Sequence, residues 1–466
     1  MAESTFHLVS LGCAKNDVDS DSMSQLLLRD GYRSVVEPAA ADILIVNTCG
    51  FIGPAKQESL AVLRTMAMDK RPGQLLIAAG CLTQRYGADV ARQVPGIDGI
   101  LGTRRWMDIV SLVRELRQGR GPGPRYHLPG DAVTVGTDEA EVLRASAAGA
   151  SAYLKIADGC RRPCAFCAIP LIKGTAVSRP LARILEEARV LKDAGVRELI
   201  LIAQDTTDYG HDLGLKDGLA VLLEGLTDAV PDMEWIRIMY AFPGYVTDRL
   251  IEVMATRSQI LPYLDMPLQH AHPTTLRRMR RPANLEWVRR TLAKVRAAMA
   301  GVALRTTFIV GYPGETEDEF QTLLDFCSEI RFDRVGAFQF SFEPGTSSEP
   351  LGDPVPAEVK EERYGRLMEL QQDISLQVNQ SYVGRQLDVL IEGRDRGISI
   401  GRSYRDAPEI DGLVFLEGQA PIGGMVSARI TGAMPYDLTA LPVNAVRSPS
   451  ATETLNVVSR RVSPSV

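Results

Sequence analysis

Apolar residues fall into three regimes along this chain. Up to about Leu116 they form short unbroken runs, each followed by a stretch with helical spacing. Residues 6–11, 42–47 and 74–79 read as strands. Helices are expected near 18–30, from about Pro54 to Met68, and over 83–93. Continuous apolar strands alternating with helices predict a parallel sheet covered on both faces, so residues 1–116 are expected to form a flavodoxin-like α/β domain. The breaker-rich run that starts Gln118-Gly-Arg-Gly-Pro predicts a linker over 117–150. From about 151 to 380 the pattern alternates strand and helix six times, with strands at 153–156, 198–203, 235–240, 263–268, 304–310 and 335–340. Six such units predict an open, partial (β/α)6 barrel whose chemistry lies at the strand C-termini. From 381 to 445 the period drops to two between Gly-rich turns, which predicts a small antiparallel β-barrel. Residues 446–466 are polar, with Pro and Ser, and are expected to be disordered.

Composition narrows the class. With 45% apolar and 24% charged residues in 466, the chain reads as an ordinary soluble globular protein. The N-terminus has no basic region followed by an apolar run, and no apolar stretch reaches the length of a membrane span. A cytoplasmic protein with no membrane partner is expected. Seven cysteines, an odd number, argue for a reducing compartment rather than a disulfide framework. The net charge of −6 does not advertise the basic face that grips nucleic-acid phosphates, although a local patch could hide within it.

The cysteines carry the chemistry. Cys160, Cys164 and Cys167 stand as C-x3-C-x2-C after the first strand of the middle segment. Three thiolates so close can hold three irons of a cubic 4Fe–4S cluster and leave the fourth iron open. A structural zinc site usually takes four protein ligands, and no fourth Cys or His lies near. Cys13, Cys49 and Cys81 each directly follow one of the first three strands and are each flanked by Gly. In a parallel sheet the strand C-termini share one edge, so these thiols are expected to converge on a second cluster; the alternative is three buried structural cysteines. Cys327 shares a helix face with Phe320, Leu323, Leu324 and Ile330 and reads as core. Other polar groups end the middle strands: Gln204-Asp205, Pro267 to His270, and Thr307 to Glu315. The glycines of the last run suit either a bound cofactor or a plain helix start at Thr316, and His270 and His272 read equally well as satisfied loop histidines.

The cysteine spacing, with Phe166 before the third Cys, resembles the radical S-adenosylmethionine (SAM) superfamily. The resemblance implies that SAM binds the open iron and yields a deoxyadenosyl radical. It also implies that Phe166, Gln204, Thr307, Gly311, Gly314 and Glu315 contact SAM. Three strand-end cysteines, then the C-x3-C-x2-C motif, then a small barrel resemble the methylthiotransferase family over about 440 residues, the barrel corresponding to its TRAM domain. Arg161-Arg-Pro163 and Lys173 depart from residues common in that family. Membership implies two clusters, a second SAM as methyl donor, an electron donor and a sulfur donor. One branch of the family modifies a tRNA adenosine beside the anticodon. The other modifies an aspartate of a small-subunit ribosomal protein, and the phrases at 10–20, 47–59 and 401–412 resemble that branch. Charge argues the same way. Residues 381–441 hold six Arg, no Lys and eight Asp plus Glu. A mildly acidic module suits a basic protein better than phosphates, unless its arginines cluster on one face. The loop bearing Asp406, Glu409 and Asp411 is expected to dock the ribosomal protein, and tRNA is not expected as a partner. A non-catalytic iron–sulfur redox sensor is the reading from another class.

Overall fold

The structure is a computed structural model, and it describes residues 4–119, 121, 123–136 and 141–443. The expected polar tail at 446–466 lies outside the described residues. The N-terminal sheet consists of β1 (Thr5–Ser10), β2 (Arg33–Ser34), β3 (Ile43–Thr48), β4 (Leu75–Gly80), β5 (Gly99–Gly102) and β6 (Arg125–His127). All pair in parallel, in the order β2-β1-β3-β4-β5-β6. The first five follow the flavodoxin-like order, in which ligands bind beyond the strand C-termini where the order reverses, between β1 and β3. Alternation along the strands fills two cores. Ile43, Ile45 and Ile77 face helices α1 (Ala14–Arg29) and α4 (Ile109–Gln118), together with Met23, Leu27, Leu112 and Val113. Leu44, Val46, Leu76 and Ala78 face α2 (Gly53–Asp69) and α3 (Cys81–Gln93), together with Leu60, Leu63 and Val90.

The stretch expected to be a linker is not only a connection. β6 extends the first sheet, and β7 (Ala145–Ala148) pairs antiparallel with β8 (Ser151–Lys155), the first strand of the middle segment. Small Ala residues give no amphipathic signal, yet an edge position asks only for backbone pairing. After β8 come β9 (Ala157–Asp158), which pairs antiparallel with β10 (Val177–Ser178), and then β11 (Glu198–Ile202), β12 (Trp235–Ile238), β13 (Tyr263–Asp265), β14 (Ala303–Val310) and β15 (Arg334–Gln339). β8, β11 and β12 run parallel, as do β13, β14 and β15. A parallel bridge between Ile236 and Ile260 joins the two groups into one arc. Helices α5 (Ile169–Lys173), α6 (Leu181–Asp193), α7 (Gly218–Ala229), α8 (Asp248–Thr256), α9 (Pro273–Arg278), α10 (Leu285–Ala298), α11 (Glu317–Ile330) and α12 (Ala357–Gln380) complete the units. Thr316 and Glu319 form a reciprocal capping box that starts α11.

The C-terminal strands β16 (Gln386–Asp395), β17 (Ile398–Ser403), β18 (Val414–Glu417), β19 (Met425–Ala433) and β20 (Leu438–Pro442) close into a barrel in the order β16-β17-β18-β20-β19. The pairing is antiparallel except between β18 and β20, which run parallel. A closed ring with an odd number of strands needs at least one parallel pair. Among the described residues no helix is long and apolar enough to cross a membrane.

Candidate active site

Three neighbouring strands deliver the N-terminal thiols. Cys13 caps the start of α1, Cys49 follows β3, and Cys81 is the first residue of α3 after β4. Asn16 ties the three turns together. Its amide nitrogen donates to Leu11 O (2.8 Å) and Thr48 O (3.2 Å), while its Oδ1 lies 3.7 Å from Cys81 Sγ. The glycines are needed because the turns touch. A methyl group on Gly12, whose φ is +96°, would lie 2.8 Å from Cys49 Cβ and 3.0 Å from its Sγ. One on Gly50 would lie 2.6 Å from the Leu82 backbone. Cys13 is exposed, whereas Cys49 and Cys81 are buried. Burial pushes the Cys49 thiol up to about 11 and the Cys81 thiol to about 12.

The other triad lies on the loop between β9 and α5. Gly159, at φ +75°, holds its start, where a methyl group would strike Thr175 O at 2.0 Å. Cys160 N donates to Gly174 O at 3.0 Å. Arg162 N donates to Cys160 Sγ (3.4 Å) and Arg281 Nη1 to Cys164 Sγ (3.5 Å). Arg281 also donates to Pro267 O. Both guanidiniums stack on Phe242, and Arg162 also covers Tyr245, 3.6 Å from its ring centroid. Arg162 pairs with Asp205 (2.6 Å) and Arg161 with Asp208 (2.5 Å). All seven cysteines are free, and burial pushes Cys160 up to about 11 and Cys167 to about 12. Cys327 is fully buried in the face expected for it.

The residues expected to contact SAM divide. Phe166 is half-buried and packs beside Met279, Tyr312 and Phe340. Gln204 carries a buried Oε1 with no hydrogen-bond partner among the described residues. Thr307 lies in the barrel interior, its Oγ1 accepting from Arg305 at 3.4 Å. Gly314 is open apart from Arg278, 3.5 Å from where its Cβ would stand. Glu315 corrects the expectation, and Gly311 carries a packing constraint of its own. A methyl group on Gly311 would meet Lys360 Cγ of α12 at 2.4 Å, so helix packing demands this glycine. Glu315 has a fully buried carboxylate, turned inward, that accepts from Gly311 N (3.0 Å) and Arg363 (2.6 Å). It braces the loop instead of facing the mouth. His270 is likewise internal. Its Nδ1 accepts from His272 N (2.9 Å), and its Nε2 stands 3.2 Å from Glu315 Oε2.

The docking loop is also corrected. Asp406 is buried against Arg334 (2.6 Å) and Ser403 (2.8 Å). Asp411 accepts from Tyr263 OH (2.7 Å) and Ala407 N (2.9 Å), with Arg305 at 3.3 Å. Only Glu409 of the three is exposed, at φ +71°. The loop plugs the barrel floor because arginines at the strand N-termini need carboxylates there. Arg402 joins the same lattice through Glu198 (2.6 Å), which Arg237 also holds (2.7 Å). The buried pairs cancel, so the small barrel keeps its acidic excess.

Sequence reasoning missed what joins the triads. Cys81 packs with Ala168 and Ile172, immediately beyond Cys167. Behind them Asp19 of α1 and Asp158 of β9 share three buried cations. Lys173 lies 3.1 and 2.8 Å from them, Lys155 2.5 and 3.0 Å, and Arg144 2.8 and 3.2 Å. Burial would raise both aspartates, but these cations hold them below the ordinary carboxylate range. Lys155 inside an apolar strand was the one visible signal.

A thiol triad beside the mouth of a partial (β/α)6 arc defines a radical SAM enzyme, and residues 154–327 match the Radical SAM superfamily. Residues 5–102 match Uncharacterized protein family UPF0004, and 383–443 match the TRAM domain. The chain is 48% identical over 453 residues to the ribosomal protein uS12 methylthiotransferase RimO of Roseiflexus sp. (strain RS-1), covering 93% of this chain and 96% of that one. It is 50% identical to the protein of the same name from Chloroflexus aurantiacus, covering 93% and 98%. The chain belongs to the RimO family of methylthiotransferases. It is a transferase, and its cofactors are SAM and 4Fe–4S clusters. Among solved structures, the radical SAM methyltransferase TsrM from Kitasatospora setae shares the fold, with a TM-score of 0.58 at 14% identity over 74% of this chain and 75% of that one.

Proposed function

We propose that this enzyme places a methylthio group on the β-carbon of an aspartate in ribosomal protein uS12. The observation that carries this reading is the apposition of the two thiol triads through Cys81, Ala168 and Ile172. The donor sets suit clusters: each is three thiols, uncommitted to disulfides, and among the described residues no larger His, Cys, Asp or Glu group of the kind a closed zinc site takes is found. Cys160, Cys164 and Cys167 would hold the SAM-binding cluster, and Cys13, Cys49 and Cys81 the second. Phe166, Gln204, Thr307 and Gly314 would line the SAM position. When bound, these groups supply the radical that breaks an unactivated C–H bond and the methyl group that is transferred. The protein orients and shields them. The Arg162 and Arg281 donors fix the cluster thiolates, since hydrogen bonds to the sulfurs tune a cluster's potential. The Phe242 and Tyr245 rings under those guanidiniums hold them in place beside the thiols. An electron donor and a sulfur donor complete the turnover, in the cytoplasm. The small barrel's acidic excess favours a basic ribosomal protein over tRNA.

The test is mass spectrometry of uS12 and of tRNA from cells lacking this gene and from cells complemented with it. One methylthio mass on uS12, restored by complementation, is expected. Its appearance on tRNA with uS12 unmodified would overturn the substrate while leaving the family intact.

A further inference from the structure

Lys15 lies two residues beyond Cys13 and reaches over the end of β12. Its Nζ stands 3.4 Å from the centroid of the Tyr240 ring. Among the described residues it makes no ion pair and no hydrogen bond. The other cations at this mouth are engaged: Arg161 by Asp208, Arg162 by Asp205, and Arg281 by Cys164 and Pro267. A half-buried ammonium without a counter-charge is costly to hold in place unless an anion comes to it. Tyr240 is itself unusual. Its φ is +63°, a conformation that a bulky side chain rarely adopts and that tends to mark functional positions. The strain is held on both sides. Its N–H donates to Asp265 Oδ2 (3.0 Å), and its carbonyl accepts from Thr206 N (3.1 Å). Two residues on, Phe242 lies under Arg281, which touches Cys164. The Lys15–Tyr240 pair therefore links the turn that carries Cys13 to the strand end whose Phe242 lies under the Arg281 that touches Cys164.

We propose that the Lys15 ammonium, steadied on the Tyr240 ring, receives the carboxylate of the target aspartate. This rests on the uS12 reading above. Holding the carboxylate there would fix the adjoining β-carbon between the two triads and would select aspartate over asparagine.

The test uses full-length, cluster-loaded enzyme under anaerobic conditions. Fluorescence anisotropy measures its affinity for labelled uS12 and for uS12 whose target aspartate is replaced by Asn. Wild type should prefer the aspartate form by about 10- to 100-fold, the range of a hydrogen bond to a charged group. Lys15→Met should bind both forms alike, near the affinity of wild type for the Asn form, and Lys15→Arg should restore a preference. Equal wild-type affinity for the two forms would overturn the proposal without recourse to any variant. So would a Lys15→Met enzyme that keeps the preference, or one that loses affinity for both forms equally. If wild type binds uS12 with the expected preference but adds no methylthio mass to it, the substrate reading fails and the carboxylate contact stands.

Discussion

Asn16 bonds to the turns that follow β1 and β3 and approaches Cys81 after β4. One amide thus sets the spacing of three thiols that lie 36 and 32 residues apart in sequence. Burial raises Cys49 and Cys160 to about 11 and Cys81 and Cys167 to about 12, so these four thiols hold their protons at neutral pH. Iron must displace those protons, as thiolate ligation requires. Anaerobic reconstitution is expected to give about eight irons per chain. The Cys160→Ala, Cys164→Ala, Cys167→Ala variant should hold about four and cleave no SAM. The Cys13→Ala, Cys49→Ala, Cys81→Ala variant should also hold about four, cleave SAM and yield no methylthio product. Full iron in either variant contradicts the ligand assignment. Cys327→Ala should keep all its iron and lose on the order of 1 kcal/mol of stability by urea titration, because that thiol only fills core.

At the scale of elements, the Glu198 carboxylate ties β11 to the small barrel. Burial would raise Glu198, yet Arg237 and Arg402 hold it down to about 2 from the ordinary 4.5. A depressed folded value means that the stabilisation is complete above pH 4.5 and fades as pH falls toward 2. The loss is on the order of 3 kcal/mol. Denaturant midpoints measured from pH 6 down to 2.5 should show this fall in wild type, and Glu198→Gln should lack that part of it. The plug loop behaves as structure too. Neutralising Asp406 and Asp411 together should destabilise the fold by about 3–5 kcal/mol, because buried arginines lose their partners. Thermal melting checks this. Weaker uS12 binding with an unchanged melting temperature would restore the docking role.

Across the whole molecule, the Asp19–Asp158 lattice locks the sheet that bears one triad onto the arc that bears the other. Buried ion pairs add little net stability over apolar packing, but breaking one by removing a single partner is severe. Asp158→Asn leaves a single carboxylate among three cations in a sealed site. It should cost about 3–5 kcal/mol and expose the connection at 117–150 to protease. Limited proteolysis against wild type measures it, and an unchanged digestion pattern would show that apolar contacts alone hold the two parts together.

The sequence by itself determined much of this protein. Period and run length exposed the parallel sheet, the six-unit arc and the small barrel, because burial on one or two faces writes itself into local patterning. The placement of Cys13, Cys49 and Cys81 at three strand ends was equally legible, since a strand end fixes which edge a residue occupies. Tertiary structure decided the rest. Ala145–Ala148 became a strand only because β8 offered an edge to pair with. Asp406, Asp411 and Glu315 looked like surface chemistry but turned inward, because the arginines that claim them lie up to 106 residues away. Lys15 gained its place over Tyr240 in the same way. Charge pairing acts through space, and no local period records it.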